Sequence, residues 1–143
     1  RDFGLDVRDL GEQLGRASGI KMCYAAMTKG TTALHAELLI AAEKLGLTDE
    51  VMAEFLNTQP AVVERMEGWM PGMPAKSRRW VSEMEEIEKT FSDLGLTPNI
   101  FKGVADVYRM IGETALGDEN PESRDKVRNL AETIRAITES IGD

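Results

Sequence analysis

Apolar positions recur at helical spacing along most of the chain, and from Ala17 to Leu45 they mark more than one stripe. That stretch contains no proline, and Ile20, Met22, Cys23, Met27, Leu34, Leu38, Ile40 and Ala41 spread over most of the helical circumference. A helix that is apolar nearly all round must be covered by neighbours on several sides. The pattern therefore predicts one long buried helix within Gly11–Gly46, with Gly46 as its left-handed C-terminal cap. At about 1.5 Å per residue it is roughly 45–50 Å long, which makes it the axle of the fold.

Shorter amphipathic helices follow. Thr48 is placed to cap one that carries Asp49 and Glu50 in its first turn and ends near Leu56. Pro60 opens another, reaching Glu67 or Gly68. Ala75–Leu94 presents Trp80, Met84, Ile87, Phe91 and Leu94 on one face, and Gly95 ends it. Thr97 caps a helix with Pro98 in its first turn and Ile100, Val104, Val107, Tyr108 and Ile111 on its buried side. Asn120 and Pro121 open the last, whose stripe is Val127, Leu130, Ile134, Ile137 and Ile141. The intervening Gly68–Pro74 (GWMPGMP) is a loop with Trp69, Met70 and Met73 among prolines and glycines. It is either an apolar plug on the core or a lid or subunit contact. The expected fold class is all-α, a bundle of about six helices around the long one.

One segment breaks the helical rhythm. Phe3–Leu10 (FGLDVRDL) alternates apolar and charged residues, as a short strand does. A single strand has no sheet to join, and no later segment alternates, so its partners are expected upstream of Arg1. Residues 1–11 then read as the last strand and linker of an upstream domain, and 12–143 as a helical domain.

Composition narrows the partners. The chain has 143 residues with 42% hydrophobic and 29% charged, enough for one ordinary core. Its net charge of −8 opposes binding to nucleic acid or to an anionic membrane surface. No apolar run approaches the roughly 18–20 residues of a membrane span. Glu83, Glu85, Glu86 and Glu88 are expected on one solvated face. Cys23, the single cysteine, cannot form an internal disulfide; a small core residue in a reducing cytosol fits it.

The candidate chemistry lies on the long helix. Lys21, Tyr24, Thr28, Thr32 and His35 fall within one quarter of its circumference. Such a ridge is either the wall of a polar cleft or a solvated stripe. One histidine and one cysteine make a metal site improbable, so no metal is expected. No Gly-rich turn joins a strand to a helix in the dinucleotide-binding pattern, and no serine elbow accompanies His35. Lys21 remains. A lysine passes protons to and from a hydroxyl when burial favours its neutral form. A second cluster, Lys76, Arg78 and Arg79, suits a substrate carboxylate or phosphate, or is ordinary surface charge.

GRASGIKMCYAAMTKG resembles the start of the interdomain helix in the 6-phosphogluconate dehydrogenase and β-hydroxyacid dehydrogenase superfamily, with FGLDVRDLG as the strand before it. The closer resemblance is to the C-terminal domain of 6-phosphogluconate dehydrogenase-like NAD-binding oxidoreductases. It extends over the whole chain through KMCYAAMTKG and RRWVSEMEEI. The resemblance implies Lys21 as the catalytic proton-transfer residue, and Gly15 and Ser18 beside the cofactor. NAD or NADP would be held mainly by an upstream domain, and the assembly would be a cytoplasmic homodimer acting on a small molecule. Three departures matter. Ala17 stands for the motif's second glycine, Tyr24 and Ala25 replace the His or Asn and the Asn after the lysine, and Ser82 and Glu83 fall at a usual Lys-Asp pair. Tyr24 and Thr28, one turn apart, are placed to replace the lost amides in holding substrate, with Arg78 and Arg79. The implied activity is an NAD(P)-dependent dehydrogenase for a hydroxy acid or related carbonyl compound, with this fragment inactive alone. The alternative is a non-catalytic all-α oligomerisation module.

Overall fold

The computed structural model of the protein describes residues 9–142. Residues 1–8, and with them most of the strand expected at Phe3–Leu10, lie outside the described residues; Asp9 and Leu10 have no regular structure. The described residues are all-α: α1 (Arg16–Leu45), α2 (Thr48–Thr58), α3 (Pro60–Trp69), α4 (Pro74–Asp93), α5 (Asn99–Gly112) and α6 (Leu130–Ile141). Short 3-10 turns occupy Met70–Gly72 and Ala115–Asp118.

The ends of α1 follow from two glycines. Gly15 precedes it at φ +88°, a left-handed conformation that any other L-residue adopts only under strain. Gly46 closes it at φ +68°, donating its N–H to Glu43 O (3.1 Å) while Leu47 donates to Ala42 O (2.9 Å). This paired arrangement satisfies carbonyls that the last turn leaves over.

Apart from Ala26, the long helix is buried only in its second half. Thr32, Ala33, His35, Ala36, Leu39, Ile40 and Ala42 are covered, whereas Ile20 (55% exposed), Tyr24 (65%) and Met27 (55%) lie open, as does Cys23. The expected core cysteine and all-round burial are thus corrected. α2, α3 and α6 pack on the distal half, α5 reaches back as far as Ala26 and Lys29 through Phe101 and Tyr108, and among the described residues only α4 shares a groove with Lys21.

α4 and α5 run antiparallel. Arg78 near the start of α4 bonds Gly112 at the end of α5, and Phe91 near the end of α4 packs edge-on against Phe101 near the start of α5. Trp80, Met84 and Ile87 of α4 meet Val104, Tyr108 and Ile111 of α5 as the stripes predict. Leu94 (70%) and Ile100 (62%) are exposed instead, because the chain turns away there and Phe101 takes the inward position. In the Gly68–Pro74 loop Met70, Met73 and Pro74 are fully buried while Trp69 is half exposed. The loop is a plug on the core.

Three helix starts differ from expectation; at α5 Pro98 rather than Thr97 takes the cap position, and the Thr97 hydroxyl accepts from Asn99 N–H (3.3 Å). Thr48 does not cap α2; its hydroxyl donates to Glu43 Oε2 (2.6 Å) and Leu47 takes the cap position. Asn120 and Pro121 do not open a helix, because the Asn120 side chain accepts from the N–H groups of Glu122 (3.0 Å) and Ser123 (2.8 Å), closing a local turn. The chain then stays irregular to Asn129, which forms a reciprocal capping box with Glu132. Val127, expected in the apolar stripe, is 88% exposed.

Candidate functional site

The proximal half of α1 and the middle of α4 enclose a groove of about 510 Å³. Ser18, Lys21, Met22, Ala25 and Lys29 line it from α1, and Glu83, Glu86 and Ile87 from α4. Spacings of three and four put the α1 residues on one face.

Charge is distributed unevenly within this groove. Lys29 Nζ donates to Glu83 Oε2 and lies 5.4 Å from the centre of the Trp80 ring, a cation over an aromatic face. Arg79 Nε is 3.7 Å from the other Glu83 oxygen, one turn back along α4. Glu83 is therefore a shared, half-buried counter-ion rather than part of a solvated face, and Glu85 likewise pairs with Arg109 (2.8 Å). Lys76 approaches the Trp80 ring at 5.9 Å.

The floor is rigid. Tyr108 is completely buried, donates its phenol to Lys29 O (2.5 Å) and meets Trp80 edge-on with centroids 5.3 Å apart. Burial pushes this phenol far above its ordinary value; the Ala33 backbone amide opposes the shift, and the Glu83 carboxylate adds to it.

Lys21 lines the groove but is exposed, where the sequence implies an amine walled off from water. The cause is the bare proximal half of α1. Gly15 caps that end; the first turn holds no acidic residue and has no side-chain cap. Ser18, in that first turn, shares the groove with Lys21.

The other predicted residues do not converge on Lys21. Tyr24 belongs to a second, shallower hollow with Arg16, Ile20, Cys23 and Met27. The hydroxyls of Thr28 and Thr32 donate back to helix carbonyls, Thr28 to Tyr24 O (3.0 Å) and Thr32 to Thr28 O (2.8 Å), which leaves them only as acceptors. The ridge sinks into the core at His35, whose imidazole burial holds below its ordinary value, with Arg65 pushing the same way. Both effects favour its neutral form. Arg78 spends its guanidinium inside the chain, on Gly112 O (2.7 Å) and Asp118 Oδ1 (2.6 Å). The residue that sequence reasoning overlooked is Lys29. It follows Lys21 at i+8 on the same face, but the neighbouring hydroxyl ridge is the more conspicuous pattern.

Residues 42–111, just under half of the chain, match a sequence family described as Domain of unknown function (DUF1932). The match takes in the RRWVSEMEEI phrase but stops short of Lys21. The chain is also 31% identical over 112 residues to "Uncharacterized 28.5 kDa protein in 7S RNA 5'region" of Methanothermus fervidus. That alignment covers 78% of this chain and 45% of the relative, so the chain spans less than half of that protein. No solved structure matches it. Among the described residues, no helix is long and apolar enough to cross a membrane.

Proposed function

We propose that this chain is the helical, substrate- and dimer-forming C-terminal domain of an NAD(P)-dependent oxidoreductase acting on a hydroxy acid or related carbonyl compound. The observation that carries the reading is Lys21 lining a groove at the open end of α1, one turn past Ser18 and close to the Gly15 cap. The family match supports it through RRWVSEMEEI, one of the phrases on which the dehydrogenase resemblance rests.

The residues described here fit only an edge of the cofactor. The start of α1 has no acid in its first turn, and its free N–H groups and the Ser18 hydroxyl could meet a cofactor amide or phosphate. A bound nicotinamide would accept hydride from the substrate carbon. Everything else falls to this chain. The Lys21 amine takes the hydroxyl proton as the carbon is oxidised, and returns a proton if an enolate follows. Thr28, two turns along α1 and outside the groove lining, keeps an acceptor lone pair, and Tyr24 offers a phenol from the neighbouring hollow. Arg79, linked through Glu83 to the groove, is placed for a substrate carboxylate; Arg78 is left out of that set. Because Lys21 is exposed here, the reading needs a covering surface over proximal α1, which an upstream cofactor domain would provide.

A screen of the full-length protein with NAD and NADP against a panel of hydroxy acids tests this. Reduction of the nicotinamide with at least one of them is expected; none with any would overturn the assignment.

A second reading is favoured by one observation, the open apolar face of α1. Ile20, Met27 and Leu34 project beside a hollow lined by Ala26, Gly30, Ala33 and Gly103, with Ile100 at its rim. Small residues let a second helix approach closely, so this face suits a homodimer contact whether or not the chain is catalytic.

A further inference from the structure

We propose that a separate cavity, between the segment preceding α6 and the distal half of α1, binds a small organic anion: one carboxylate or phosphate carried on an apolar body. This inference does not rest on the dehydrogenase reading. The cavity, about 580 Å³, is bounded by Glu43 on α1, which lies 22 residues or roughly 33 Å along the helix from Lys21.

The segment between Arg124 and Asn129 is neither helix nor strand, and it presents alternate residues to the cavity. Arg124, Lys126 and Arg128 line the wall, while Val127 points outward at 88% exposure. Local turns fix this geometry: Arg124 N–H donates to Asn120 O (2.9 Å) and Val127 N–H to the Asp125 side chain (2.9 Å). At helical spacing the same cations would diverge around the axis. An acidic chain thus gathers positive charge at one mouth.

The charges are not equivalent. Arg128 forms a fork with Glu119 (2.9 and 2.5 Å), which largely cancels both. The Arg124 guanidinium stacks over Gly72, 3.6–3.8 Å from where a side chain would begin. Of the carboxylates, Glu43 accepts from Thr48 and lies 3.8 Å from Arg135. Among the lining residues Arg124 and Lys126 then face Glu67, one more cation than carboxylate, which suits a single anionic group, while the Asp125 and Glu132 carboxylates act on Arg128. Leu39, Met52, Pro71, Leu130 and Ile134 make the rest of the lining apolar. A bare inorganic ion leaves that surface uncovered, and a neutral apolar molecule leaves the cations unmatched.

NMR titration of the chain tests the site, with hexanoate and phenyl phosphate as probes and acetate, inorganic phosphate and hexanamide as controls. At least one probe should saturate, shift the Met52, Leu130 and Ala131 amides, and bind about tenfold tighter than every control. Which probe wins identifies the headgroup. The double substitution Arg124→Gln/Lys126→Gln should weaken that probe by about tenfold with helicity unchanged. Should that variant unfold, exposed Lys126→Gln alone should still weaken it measurably. No saturation by either probe, binding of the better probe no tighter than the controls, shifts elsewhere, or unchanged affinity in the folded variants would overturn the proposal.

Discussion

Replacing Tyr108 tests whether the groove floor is built as described. Tyr108→Phe deletes one oxygen and keeps the ring. The lost bond is to Lys29 O (2.5 Å), and a bond of this kind is worth about 0.5–1.5 kcal/mol net. At roughly 2–4 °C per kcal/mol for a domain of this size, the melting temperature should fall by about 1–6 °C. Tyr108→Ala also removes a fully buried ring and its edge contact with Trp80 at 5.3 Å. Emptying such a site costs about 3–5 kcal/mol, and the aromatic pair about 0.5–1.5 more. A pH series separates the hydroxyl from the ring. Burial raises the folded phenol above its ordinary 10.0, so the folded state holds that proton more tightly than the unfolded chain. Its stabilisation is complete below pH 10 and is lost as pH climbs beyond it. Tyr108→Phe cannot lose it, so the gap between variant and wild type should close in strong alkali. Thermal melts by circular dichroism from neutral to alkaline pH are the assay. Equal melting at pH 7 together with parallel alkaline curves would refute the buried, bonded phenol.

Two further outcomes are expected. A side chain at Gly117 would begin 2.3 Å from Gly112 O, a backbone atom that cannot step aside, so Gly117→Ala should cost at least about 1–3 kcal/mol. Gly103→Ala, with nothing within 4 Å, should be neutral or stabilising in its helix, and the contrast between the two melting temperatures is the check. Light scattering should give a dimer mass that falls to the monomer when Ile20, Met27 and Leu34 become Ser, with helicity retained. A wild-type monomer at every concentration would dismiss α1 as the contact.

Much of the fold was legible because its signals are local. Gly15 and Gly46 bracket α1, Pro60 opens α3, and the α4 and α5 stripes meet in the order their spacing implies. Three things were not legible, each for its own reason. The Asn120–Pro121 start is a turn because a short polar side chain can bond nearby backbone without any helix, whereas the true cap, Asn129 with Glu132, lies further on. An all-round apolar sequence announces that α1 needs cover, yet cannot say whether this chain or another surface provides it. The sequence places the candidate site along the Lys21, Tyr24 and Thr28 ridge of one helix, with Arg78 and Arg79 from another, but the groove that holds Lys21 is lined from α4 by Glu83, Glu86 and Ile87 instead. Lys29 and Glu83 meet across a separation of 54 residues that helical periodicity does not register.

The central claim is that Lys21 moves the substrate proton. Lys21→Ala in the full-length protein, assayed with whichever hydroxy acid it oxidises, tests it most directly. Turnover should fall by about 10²–10⁴-fold with cofactor affinity intact. A variant that oxidises the same substrate within a fewfold of wild type would contradict it.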